Sequence, residues 1–519
     1  MDRIWRRLGR ASPRVLLGVA LVSLGIGALV LSASPGASVT PSVVSGDTPV
    51  NAGATDPGNI TANNSPTLAR NPARPANLAV ANRVDSPRFS CALHVSFDGG
   101  GRWSPTRIPI PRGEEPKCFA PDVTFAADGT MYMSYLTLRG RANAPHAVWF
   151  VRSRDGGRTL SRPARVLGRF SFQVRITTDP ADPRRVYLSW LDVADVGLLR
   201  FAKPGNPVRV LRSSDGGRSW ERPVRVSSPA RPRVVAPSLA VGPKGEVYAL
   251  YLDLGEDRLD YEAGHRGLGG PPYAGPFRLV LSRSLDGGAT WEESVVEDQL
   301  VPTERFLVFL PPFPSLAVDG RSGRVYVGFH DGRLGKADVW LWSLPAGGSE
   351  WEGPARVNDT AERDRTSQYL PKLAVAPNGR VDVVYYDRRD DPRDVMNEVS
   401  FQSSLDGGES FSPAIRISSR QFSSRIGFGS ERRMPDLGNR LALASDDKRA
   451  VAIWTDTRAG TVASNKQDLA RATLAFSEPA GPSGGLRNVL RYGGVALALA
   501  GLAVFALGRR RRSPEAAGG

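Results

Sequence analysis

Six aspartates recur at one place in this sequence where side chains could do chemistry. Asp85, Asp192, Asp253, Asp331, Asp387 and Asp456 each follow a run of mainly apolar residues, such as Val381 to Tyr386 or Val325 to His330. Three have an arginine close behind, in Asp331-Gly332-Arg333, Asp387-Arg388-Arg389 and Asp456-Thr457-Arg458. A guanidinium presents a planar fork that holds a carboxylate through two hydrogen bonds, so such groups suit a polar or anionic ligand. The same residue at the same place in many units equally suits a building role, with each Asp capping its own loop and pairing with its own arginine. The ligand-binding candidates are Asp253, Asp331, Arg333, Asp387, Arg388, Arg389, Asp456 and Arg458. Arg389 and Arg458, unmatched by a neighbour, stand foremost.

Other chemistry is thinner. The stretch Asp253 to Pro276 carries Glu256, Asp257, Asp260, Tyr261, Glu262 and His265. Its acid density would suit calcium, but the spacing fits no EF-hand. No zinc spacing, phosphate loop, nucleophile elbow or dinucleotide fingerprint stands out. No cofactor, no metal ligand and no catalytic residue is assigned.

The elements that must position these aspartates repeat along the chain. A Pro-x-apolar start recurs at Pro66, Pro121, Pro237, Pro314, Pro371 and Pro435, as in Pro237-Ser238-Leu239-Ala240-Val241. A turn follows, often with glycine (Asp128-Gly129, Lys244-Gly245, Asn378-Gly379), and then a run of β-branched and aromatic residues. Such runs between turn signals are strands. A loop of variable length and a third strand come next. A second motif, Ser-x-Asp-Gly-Gly-x-Ser/Thr-Trp, follows in the units at Ser96, Ser153, Ser213, Ser284 and Ser404, with Asp98, Asp155, Asp215, Asp286 and Asp406 at its third position. Its Asp can accept hydrogen bonds from amides just downstream, its glycines allow positive φ, and its final apolar residue plugs the following strand. Ala346 to Trp351 keeps Gly-Gly and Trp but has Ala for Asp.

The predicted unit is thus a four-stranded antiparallel blade. It occurs seven times, over roughly 65–112, 117–168, 170–230, 233–300, 311–358, 366–420 and 433–476. The fold class is all-β, a β-propeller of seven blades, or six if the first or last unit is a closing half-blade. Successive turns alternate between faces, so the ends of the second strands gather around the channel mouth. The Gly-Gly turns lie on the opposite face.

The motif resembles the Asp box, or BNR repeat, of the sialidase superfamily of β-propellers, over about residues 60–476. The resemblance implies that the five box aspartates are structural. It also implies a glycoside-active face with three arginines on a carboxylate, a Tyr nucleophile with a Glu partner, and an Asp acid. The family's first arginine sits in Arg-Ile-Pro at the start of the first blade; here that place reads Asn64-Ser65-Pro66. One arm of the clamp is therefore missing unless Arg175 or another residue supplies it. Arg107-Ile108-Pro109 follows an Asp box on an outer strand and is coincidental. Tyr369, Tyr385 and Tyr386 match a nucleophile by position only.

Charge and terminal segments bound the remaining readings. The formal charge is +16, but five arginines against Asp2 at the N-terminus and six against Glu515 at the C-terminus account for nine of it. The remaining +7 is modest, so a nucleic-acid partner is not expected. Residues 1–14 form a basic segment, and 15–33 are an uncharged signal peptide or transmembrane anchor. Residues 34–64 read as a flexible stalk, 65–476 as the propeller and 477–491 as a linker. Residues 492–508 read as a transmembrane helix and 509–519 as a cytoplasmic basic tail. The propeller would then lie outside the cytoplasm at the cell membrane, where Cys91 and Cys118, the two cysteines, can form a disulfide. Three functions follow: a membrane-anchored propeller binding a glycan or protein ligand at the channel mouth, a glycoside hydrolase of sialidase type, and an envelope assembly scaffold. The sequence leaves turnover and oligomeric state open.

Overall fold

The computed structural model describes residues 17, 19–24, 41–52, 56, 58–141, 143–193, 206–257, 273–303, 313–427, 437–476 and 484–510. It divides into two units, Ser42–Ala475 and the two chain ends Met1–Pro41 with Phe476–Gly519. The larger unit is seven antiparallel sheets in which consecutive strands pair with their neighbours. Blade one has Asn63–Arg70, Leu78–Val84, Ser90–Ser96 and Ser104–Thr106, and the pattern repeats through blade six, which begins at Gln368–Val375. Second strands such as Val247–Asp253 and Val381–Asp387 are buried along their whole length. That burial explains why they read as unbroken apolar runs rather than alternating ones.

The Asp box fastens one blade to the one before it. In blade three, Gly217 N–H donates to Ser213 Oγ (2.9 Å), and Ser213 Oγ donates to Asp215 Oδ1 (2.8 Å). Asp215 also accepts from Ser219 N (2.9 Å) and Ser219 Oγ (2.6 Å). The same bonds recur around Asp155, Asp286 and Asp406. At Asp98 they recur without the hydroxyl arm, because Arg102 stands where the others have Ser or Thr. These donors hold the Asp215 carboxyl far below the ordinary range, and bring Asp155 down to about 2 against its burial. The second glycine meets the preceding blade: a Cβ on Gly217 would lie 2.3 Å from Phe150. Trp220, which ends the box, packs edge-on against the same Phe150, with ring centroids 5.3 Å apart.

Blade seven corrects the domain plan. It contains Ala442–Ser445, Arg449–Asp456 and Asp468–Ala475, and its fourth, outermost strand is Ser42–Pro49 from the other end of the chain. Residues 42–49 are therefore not stalk. This blade lacks an Asp box because no turn joins its third strand to its fourth. Blade one likewise begins at Asn63, two residues before the expected boundary.

At Pro66, Pro121, Pro237 and Pro371 the Pro-x-apolar signal marks a bulge inside the inner strand rather than its start, whereas Pro314 directly precedes the strand Ser315–Val318. Pairing skips between Asn64 and Thr67, Phe119 and Asp122, Phe172 and Arg175, Val235 and Ser238, and Tyr369 and Lys372. The residue within each skip has positive φ: Ser65 (52°), Ala120 (47°), Gln173 (53°), Ala236 (57°) and Leu370 (58°). Proline has no N–H to lose from the ladder, which suits it to the unpaired position. Pro435 lies outside the described residues.

Cys91 and Cys118 are joined as a disulfide between blades one and two, with Cα atoms 5.4 Å apart. The expected pair of membrane spans is not seen among the described residues. The 492–508 run lies within the helix Gly484–Arg510. Among the described residues, however, no helix is long and apolar enough to cross a membrane. The uncharged run is bounded by Arg491 and Arg509 and broken by Gly493, Gly494, Gly501 and Gly508. Most of 15–33 lies outside the described residues.

Two predictions follow from blade contacts. Gly217→Ala meets both Phe150 and a φ of 75°. It should cost roughly 2–4 kcal/mol in chemical denaturation, whereas Gly347→Ala, with nothing within 4 Å of its Cβ, should lose only the positive-φ share, about 1 kcal/mol. Asp47 ties the closing strand down by pairing with Arg458 (2.9 Å) and accepting from Ser419 N (2.6 Å). Asp47→Asn, which tolerates the left-handed backbone, should lower stability by about 1–3 kcal/mol in the same assay.

Candidate functional site: the channel mouth

In every blade the second strand ends on the face where the inner strand begins. Asp192, Asp253, Asp331, Asp387 and Asp456 are the last residues of their strands, and Asp85 directly follows its own. In blade two the equivalent position is Thr137, which pairs with Cys118 as Asp387 pairs with Gln368. Thr137 Oγ1 donates to Glu114 (2.7 Å), which also meets His146 Nδ1 at 2.9 Å. Glu114 thus brings the seventh carboxylate to the ring from a loop, where no strand-end pattern could reveal it.

Each of the six strand-end aspartates is held by an arginine. Arg333 Nε lies 2.9 and 2.8 Å from the two oxygens of Asp331, and Arg333 reaches Glu297 at 2.9 Å while its guanidinium covers Trp340. Asp253 pairs with Arg231 (2.9 Å) and Arg278 (3.4 Å), Asp192 with Arg209 (2.7 Å) and Asp85 with Arg83 (2.8 Å). Arg389 and Arg458 are not the unmatched cations expected. Arg389 bridges Asp387 (2.6 Å) and Asp359 (2.8 Å), and Arg458 bridges Asp456 and Asp47. Both partners of Arg458 hold its proton more tightly, despite burial. The sequence missed these partners because Asp47 and Asp359 come from the closing strand and from a loop, far from the ring pattern.

Arg388 points away from this ring. It is buried inside blade six, donating to Asn397 Oδ1 (3.0 Å), Asp394 O (2.7 Å) and Ser424 Oγ (3.1 Å), with its guanidinium over Tyr369. It shapes the turn from 388 to 397. Tyr369, Tyr385 and Tyr386 are also fully buried. Burial raises all three phenols above their ordinary range, so none is poised as a nucleophile. Within the acid-rich loop, Asp260, Tyr261, Glu262 and His265 lie outside the described residues. Among the described residues, no group of three or more His, Cys, Asp or Glu side chains could hold a metal ion.

One carboxyl at the mouth is unusual. Glu398 lies directly across the strand pair from Asp387 and is 2% exposed. Burial, with Asp390 and Asp387 as like-charged neighbours, raises it to about 7, against the opposing pull of Arg416 at 3.3 Å.

No protein-family model matches this chain, and no curated protein matches it. Solved structures similar to it include a protein of unknown function from Dyadobacter fermentans, at 15% identity and TM-score 0.46, covering 84% of this chain and 99% of the other. A polysaccharide lyase described as an ulvan lyase has 14% identity and TM-score 0.45, over 79% and 94% of the two chains. An α-L-arabinofuranosidase from Fusarium graminearum has 16% identity and TM-score 0.43, over 73% and 98%. Likeness at this level carries nothing about ligand or chemistry.

The Glu398 environment gives a signed pH dependence. Its folded value, about 7, exceeds its ordinary 4.5, so the folded chain binds the extra proton between these values. This group's contribution to stability therefore falls as pH rises from about 4.5 to about 7 and is level beyond. Glu398→Gln should remove that slope and melt above the parent at pH 8, as read by thermal unfolding across pH 5–8.

Proposed function

We propose that this chain is a propeller that binds a glycan or protein ligand at its channel mouth without turning it over. The observation that carries the reading is the ring of strand-end aspartates, each already held by an arginine. Prearranged carboxylate–guanidinium pairs offer fixed donors and acceptors to sugar hydroxyls or peptide groups. A hydrolase needs carboxyls free to exchange protons or attack. The kinship with sialidases suggested by the Asp boxes belongs to this reading, as does a site outside the cytoplasm. The latter is supported by the disulfide and by the arginine-flanked uncharged runs 15–33 and 492–508, which would serve as the tether.

A second reading, glycoside hydrolysis, has Glu398 in its favour. A carboxyl held protonated near neutral pH is what a general acid requires, and Asp387 stands opposite it. Its burial and the four hydrogen bonds that Asp387 already accepts (from Gln368, Arg389 twice, and Ser400) weigh against it.

The test is the full chain assayed on a glycan array and on fluorogenic glycosides, sialosides first. The expected result is retention of a glycan class with no sugar release. Release of sugar that Glu398→Gln abolishes would overturn the binding reading in favour of hydrolysis.

A further inference from the structure

The axis of the ring carries a second group of charges that the strand-end pairs do not absorb. At the inner-strand bulges, blade two places Asp122, blade three Arg175 and blade six Lys372, each as the first residue to rejoin the pairing. Blade seven contributes Arg440, two residues before its inner strand. Arg440 reaches past blade one to donate to Pro121 O of blade two (3.1 Å). The guanidinium carbons of Arg175 and Arg440 lie 5.6 and 5.7 Å from the centre of the Phe313 ring. These groups belong together just inside the mouth.

The donors outnumber the acceptors. Asp122 is the carboxylate of the group, and its oxygens already take Val123 N (3.1 Å), Ile176 N (2.9 Å) and Arg175 Nε (3.4 Å). Arg440 is only 8% exposed, yet among the described residues its buried Nε has no hydrogen-bond partner, and neither has Arg175 Nη1 or Gln173 Nε2. Lys372 makes no ion pair among the described residues. Burial, then Arg175 and Arg440 against Asp122, bring Lys372 down to about 8. Burial and Arg175, with Arg83 adding to it, lower Arg440 as well. A buried cation without a counter-charge is costly, and an anion would supply both the missing charge and the missing acceptors.

We infer that Arg175, Lys372 and Arg440 form an axial binding site for one anionic group, a carboxylate, sulfate or phosphate. The site is distinct from the strand-end ring and stands whether or not the mouth binds a glycan. The anion would be free in solution or borne by a larger ligand, such as a uronic acid, lying across the mouth.

The test is calorimetric titration of the full chain with inorganic sulfate, inorganic phosphate and glucuronate at constant ionic strength, beside Lys372→Met and Arg175→Gln. Saturable binding of one anion per chain is expected, weakened roughly tenfold or more in each variant. Binding should also weaken as pH rises through about 8, because Lys372, which faces Asp122, Arg175 and Arg440, loses its proton. Tighter binding of glucuronate assigns the group to a sugar acid, and tighter binding of sulfate or phosphate assigns it to a free anion. Should Arg175→Gln fail to fold, Lys372→Met, partly exposed in the parent, carries the comparison alone. No saturable binding, or equal binding by parent and Lys372→Met, would overturn the site. Anion binding with a silent glycan array would remove the glycan arm of the proposed function and leave this inference standing.

Discussion

Ring closure is the constraint on which the rest of the structure depends. Seven four-stranded sheets written in sequence leave two open edges unless the last blade is joined to the first. Here the join is made by Ser42–Pro49 lying beside Asp468–Ala475, so that one blade holds strands from both ends of the propeller. Val50 N donates to Leu469 O (2.7 Å) and Leu469 N to Asn51 Oδ1 (2.8 Å), extending the seam past the strand. Closure also reaches the mouth, because Asp47 of the closing strand is a partner of Arg458. The seam and the mouth are therefore one mechanical unit: a chain that frays at Asp47 loosens a ring position more than four hundred residues away in sequence.

Inside the seam, two different devices join neighbouring blades. On one face the Asp boxes press a glycine and an aromatic residue into the preceding blade. Along the axis, inner-strand residues bond forward to the next blade: Asp122 accepts from Ile176 N, Gln173 from Ala236 N (2.8 Å) and Ser315 from Leu373 N (2.9 Å), while Ser238 donates to Pro314 O (2.9 Å). The mouth is thus built on a stiff inner ring, and the polar residues chosen at its bulges decide what the channel can hold. Where those residues are Ser they are satisfied by a neighbouring backbone. Where they are Arg175 and Lys372 they are not.

Much of this was legible from local residue patterns. The Ser-x-Asp-Gly-Gly motif specifies its own hydrogen bonds within a few residues, so each intact copy could be placed, and the strand-end aspartates were visible because each follows an apolar run. What escaped has a common cause: it depends on partners distant in sequence. Ser42–Pro49 is polar and exposed on an outer edge, which makes it resemble a stalk. The pairing of Asp359 with Arg389 and of Asp47 with Arg458 cannot be read from spacing. Pro66 and its counterparts are plainly recurrent, but proline before an apolar run signals a strand boundary as readily as a bulge. The axial cations lie at positions that read as Asp, Arg, Ser and Lys in different blades, so no repeat pointed to them.

Native-state hydrogen exchange on the full chain tests the central claim, that the N-terminal strand closes the ring, most directly. Val50 and the Ser42–Pro49 amides facing Asp468–Ala475 should exchange as slowly as those of their partner strand, and both should open together as denaturant is added. Exchange of residues 42–50 at the rate of an unstructured chain, with Asp468–Ala475 still protected, would contradict closure by this strand.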